Sequence, residues 1–108
     1  MVKALKAFGS TDKDVAKQGC WAVLILARDD AENQRELGHI GGCDAVVKAL
    51  KAFGGTDKDV ALPGCAAVIT LAFKDAENKR ALLAAGAAVA VKASLENNYK
   101  SQALGALI

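Results

Sequence analysis

Apolar residues recur at helical spacing along most of this chain. Within 44–53, Val46, Val47, Leu50 and Phe53 stand at i, i+1, i+4 and i+7, on one helix face. That pattern predicts a short amphipathic helix ending at Gly54-Gly55, residues suited to a left-handed stop. Thr56-Asp57-Lys58-Asp59 then offers an N-cap with acids in the first turn, opening a longer helix to about Ala72. Asp75-Ala76-Glu77-Asn78 opens a third helix over 77–85, which Gly86 closes.

These signals occur more than once. Val2–Gly9 returns unchanged as Val47–Gly54, and at that shift of 45 the segments 2–41 and 47–86 share 27 of 40 residues. A degraded third copy begins at Gly86, with Val91-Lys92-Ala93 answering Val47-Lys48-Ala49. Three helices in about 45 residues describe an α-solenoid unit. The expectation is an all-α fold in a single domain over 1–108, with a partial repeat 1–28, a full repeat 29–73 and a partial repeat 74–108, about two and a half in all.

Two positions in the long helix carry more detail. Pro63 stands where the first copy has Gln18, and either kinks the helix or marks a late start. Gly19 and Gly64 each cost a helix about 1 kcal/mol relative to Ala. Both copies keep them, so a neighbouring helix is expected to approach too closely for a side chain.

The residues resemble the armadillo repeat family. Asp14–Ala27 looks like that family's third helix, with its Trp-Ala-Leu-x-Asn-Leu-Ala type of ending. Asp75–Gly86 looks like the first helix and Asp44–Phe53 like the second. The resemblance spans essentially the whole chain and implies a right-handed superhelix whose third helices line a protein-binding groove. In peptide-binding members a Trp, and an Asn four residues later, hold an extended peptide. The matching pairs here are Trp21 and Ile25, Ala66 and Thr70, and Leu104 and Ile108, so the asparagine ladder is missing.

The copies also differ along one helical face. Lys17/Leu62, Gln18/Pro63, Trp21/Ala66, Leu24/Ile69, Ile25/Thr70, Arg28/Phe73 and Asp29/Lys74 fall on one side of the long helix. The matching Ala16, Gly19, Cys20, Val23, Leu26 and Ala27 fall on the other, with the matching Ala22 near its edge. The unmatched face is largely apolar, which drift on a solvated surface would not produce. It is expected to bind an apolar or amphipathic protein segment through Lys17, Trp21, Leu24, Ile25, Arg28, Leu62, Ala66, Ile69, Thr70, Phe73, Leu104 and Leu107. The alternative is a structural subunit whose face is permanently covered in a larger assembly.

Composition narrows the remaining classes. The chain is 53% hydrophobic and 24% charged, which excludes disorder, and no apolar run is long enough for a membrane span. A formal charge of +2 is too near balance to expect nucleic acid, and Lys3, Lys6, Lys48, Lys51 and Lys92 read as a solvated stripe. Cys20, Cys43 and Cys65 lack metal or redox spacing; buried free thiols, and so a reducing cytoplasmic or nuclear setting, are expected. His39 is the sole histidine and has no repeated counterpart. No enzyme, cofactor, metal or small-molecule substrate is expected. Neither end carries a secretory leader or a polar cap, so oligomerisation or a longer array is expected.

Overall fold

The computed structural model describes residues 2–96, and every regular element among them is helical. In order these are α1 (Val2–Phe8), α2 (Lys13–Ala27), α3 (Ala31–His39), α4 (Gly42–Ala49), α5 (Lys58–Ala72) and α6 (Ala76–Ala85). A π turn, Leu50–Gly54, continues α4, and residues 87–96 are again helical.

Aspartates start four of these helices, each aligned with a partner 45 residues away. The Asp12 carboxylate accepts from the Asp14 and Val15 amides at 3.0 and 3.2 Å, and Asp57 accepts from Asp59 at 2.8 Å. Asp30 accepts from the Asn33 amide at 2.9 Å, and Asp75 from that of Asn78 at 3.0 Å. A cap of this kind is worth about 1 kcal/mol. The long helix is therefore capped by Asp57 and not by Thr56, and it runs through a buried Pro63 instead of starting there.

The expected left-handed stop at Gly54-Gly55 does not form: Gly55 has φ −74°. The helix widens into the π turn, and the space a Gly54 side chain would need is taken by Ser94 Oγ. The left-handed glycines are Gly41 and Gly86, at φ 88° and 92°, each following the helix before it. Gly86 thus closes α6 as its pattern predicts. Because Gly41 and Gly86 hold the same place, the third copy is in register at 45. Val91 therefore answers Val46, one residue off the match to Val47 that the sequence suggests.

A knob and a socket recur in the core. A Cβ on Gly19 would lie 2.7 Å from Leu5 Cδ1, and one on Gly64 would lie 2.5 Å from Leu50 Cδ2. Both leucines are buried, so the glycines answer the close approach that their retention predicts. Val23, Val46, Val47, Val60 and Leu71 complete the same cluster.

Polar bonds join successive units, and these also repeat. Asn33 Nδ2 donates to the Leu26 carbonyl at 2.8 Å, and Asn78 Nδ2 donates to Leu71 at 3.0 Å and also to Gln34 at 2.8 Å. Lys6 Nζ donates to the Ile40 carbonyl at 3.3 Å, and Lys51 Nζ to the Ala85 carbonyl at 2.7 Å. These two lysines are therefore no freely solvated stripe, since each sets its charge at the carbonyl end of the helix ahead, where the helix dipole favours a cation. Lys48 pairs with Asp44 on its own helix at 3.1 Å.

One matched position departs from its partner. Leu71 is buried, whereas Leu26 is exposed. At the end of α5, the Gln34 side chain of α3 donates to the Thr70 and Phe73 carbonyls, so α3 lies against that end. Among the described residues no helix stands in the corresponding place beside the end of α2.

Candidate functional site

The long helices α2 and α5 pack side by side, and their matched residues face inward. Ala16, Gly19, Cys20, Val23 and Ala27 are buried on α2, as are Val60, Ala61, Gly64, Cys65, Ala67 and Leu71 on α5. The unmatched positions lie mostly on the other side. Ile25, Arg28, Leu62, Ile69 and Phe73 are exposed, Ile69 at 67% and Phe73 at 60%. Lys17, Ala66 and Thr70 are half-buried, and Leu24 is half-buried against the core. Trp21 is exposed as well, at 37%, less than Ile25, Leu62, Ile69 and Phe73. Pro63 is buried, unlike the exposed Gln18 it replaces. Leu104 and Leu107 lie outside the described residues.

A cleft of about 200 Å3 gathers four of the expected residues: Arg28 from the end of α2, and Ile69, Thr70 and Phe73 from α5. Asp29 and Gln34 complete its wall. Gln34 pins the end of α5 through its two carbonyl bonds, and the Thr70 hydroxyl donates to its own helix at the Ala66 carbonyl, 2.8 Å away. Lys74 Nζ sits 5.3 Å from the Phe73 ring centroid, a cation–π arrangement at the rim. Comparison of the long helices alone misses Gln34. Its signal is the Gln34/Lys79 difference between the first helices of successive units.

Comparison with protein-family models, curated proteins and solved structures gave no match. What the face can do follows from its chemistry alone.

The exposed side chains are aliphatic and aromatic, and the charged ones stand at the edge. His39 lies elsewhere, 3.7 Å from Glu77 at an exposed position. Among the described residues no three His, Cys, Asp or Glu side chains gather as a metal ion needs, and no helix is long and apolar enough to cross a membrane.

The thiols are free and buried. Burial, and then the neighbouring Cys65, push the Cys20 thiol up to about 12. Burial and the charge of Asp75 push Cys43 up to about 11, and burial raises Cys65 as well. Neutral thiols are poor nucleophiles. At pH 8 the native chain should therefore react with a disulfide reagent at least about a hundredfold more slowly than the denatured chain. The same shifts set an alkaline limit. The unfolded thiols ionise near pH 8.5 to 9, before the folded ones, so stability complete below that range falls as pH rises toward 11 to 12. Denaturation midpoints measured from pH 8 to 11 should show the fall, and Cys20→Ala should flatten it.

Proposed function

We propose that this chain is a non-catalytic protein-interaction module, built as a right-handed armadillo-like α-solenoid. It binds an apolar or amphipathic segment of a partner protein along the outward face of α2 and α5. The observation that supports this most is the exposure of Trp21, Ile25, Leu62, Ile69 and Phe73 on two helices packed against each other. Apolar side chains lying together on a surface lower the free energy when a partner covers them, by about 25 cal/mol per Å2 removed from water. The repeated knob-and-socket core and the lysine bonds to the next helix support the solenoid reading, because both recur at a spacing of 45 residues.

Selection from a library of short random peptides tests the proposal. Selected binders should be rich in apolar residues at helical spacing, and should quench or shift the emission of Trp21, the only tryptophan. Ile25→Asp and Phe73→Asp should each weaken them at least about tenfold, with little change between about 50 and 500 mM salt. Binders that are uniformly charged and lost in salt, or that ignore both substitutions, would overturn the reading.

A further inference from the structure

The cleft at the end of α5 has walls of two kinds. Ile69 and Phe73 are apolar, Gln34 and Thr70 are polar, and Arg28 and Asp29 carry opposite charges. Of these six only Gln34 is buried, at 6% exposure. Its amide nitrogen donates to the Thr70 and Phe73 carbonyls, which turns its Oε1 away from them. Among the described residues no donor reaches that oxygen and no fully buried side-chain oxygen lacks a partner, so Oε1 is open to solvent. The cleft is the opening that Gln34 lines. Thr70 gives its hydroxyl hydrogen to the Ala66 carbonyl, so its Oγ1 can only accept a further bond.

This pair of acceptors is particular to one unit. At the end of α2, Ile25 and Arg28 stand where α5 has Thr70 and Phe73, and no described helix lies there to supply a glutamine. One unit further on, Lys79 stands in place of Gln34.

We propose that the cleft is the anchor site for a tryptophan or tyrosine side chain of the partner segment, its ring against Ile69 and Phe73 and its N–H or O–H donated to Gln34 Oε1 or Thr70 Oγ1. This rests on the interaction reading of the outward face and names the residue type that face selects. An aliphatic side chain would strip water from both acceptors and replace it with nothing. A carboxylate would meet Asp29 and the same two oxygens, and a cation would meet Arg28 and Lys74, which stands 5.3 Å from the Phe73 ring. A neutral ring with one donor suits both kinds of wall, and the cleft of about 200 Å3 has room for one such side chain. The chain's own aromatic donors are worse placed. Trp21 is less exposed than Ile25, Leu62, Ile69 and Phe73. Tyr99 follows residues 87–96, which line no part of the cleft and face Val68 and Ala72 across a separate groove.

The test follows the 15N-labelled full chain by NMR as indole, 1-methylindole, benzylammonium or benzoate is added. Indole should bind saturably with Kd below about 10 mM, shifting the Gln34 side-chain amide and the Thr70 and Phe73 backbone amides. 1-Methylindole has no N–H and should bind at least about threefold more weakly, as should both ions. Gln34→Lys keeps a donor for the two carbonyls and removes the acceptor, so it should bring indole and 1-methylindole within about twofold of each other. Thr70→Val should narrow the same gap, and Phe73→Ala should weaken every probe; circular dichroism checks that the variants stay folded. No saturable binding, shifts confined to other residues, or equal affinities for the two indoles in the unaltered chain would overturn the proposal. Indole binding that tightens on Tyr99→Ala would assign the cleft to this chain's own tyrosine, and self-association abolished by indole would assign it to a second copy. Indole binding with no selected peptide would keep the cleft and end the wider reading of the face; selected peptides with no indole binding would do the reverse.

Discussion

Gly64→Ala should destabilise the chain by about 2 kcal/mol, even though alanine is the better helix former by about 1 kcal/mol. The new methyl would lie 2.5 Å from Leu50 Cδ2 and 2.8 Å from Cγ, and Leu50 is itself buried and has little room to retreat. Packing strain thus outweighs helix propensity. In a domain of about this size, 2 kcal/mol lowers the melting temperature by roughly 8 to 16 °C. Leu50→Ala alone should cost about 2 to 5 kcal/mol by leaving a cavity. The double substitution should cost clearly less than the sum, because the new methyl enters the space the leucine vacates. Additive losses would show that Gly64 matters for some reason other than contact with Leu50.

Asn78→Asp should be more damaging still. Asn78 is 4% exposed, and its amide donates to the carbonyls of both Gln34 and Leu71, tying α6 to α3 and α5. A carboxylate has no hydrogen to donate and would face those oxygens with a buried negative charge. The expected loss at pH 7 is about 3 to 5 kcal/mol. Such a carboxyl titrates above its unfolded value of about 3.9, so stability is most complete below that value and is lost as pH rises through the folded pKa. Thermal denaturation of Asn78→Asp should therefore approach that of Asn78→Leu at pH 4 and fall below it at pH 7. The equivalent Asn33 is only half-buried and makes one such bond, so Asn33→Asp should cost less.

Much of the fold was legible because the chain nearly repeats itself. Matched residues marked the inward side of the long helices, and the retained Gly19 and Gly64 marked where a neighbour comes close. What escaped depends on geometry between units. Nothing in the periodicity of Asp44–Phe53 distinguishes an α-turn from a π turn, and the same octapeptide forms an ordinary α-helix at Val2–Phe8. Lys6 and Lys51 read as surface lysines because their carbonyl partners lie 34 residues ahead. On the outward face, the copy differences located Ile25, Ile69 and Phe73, but they could not separate Leu24, which leans on the core, from its exposed neighbours. A groove of about 630 Å3 between α5, α6 and residues 87–96 was hidden for the opposite reason: its walls resemble core residues, and only their exposure shows that no described helix covers them.

The duplicated knob and socket also carries a hazard for assembly. Leu5 and Leu50 lie in identical octapeptides, and each glycine opposite them precedes a cysteine, so local chemistry barely distinguishes a correct pairing from one shifted by a whole unit. Near-identical neighbours of this kind are prone to cross-pairing and to exchange between molecules during refolding. The differences that have accumulated, Gln34 against Lys79 and Trp21 against Ala66 among them, therefore do more than shape a surface. They are among the few local features by which one unit differs from the next.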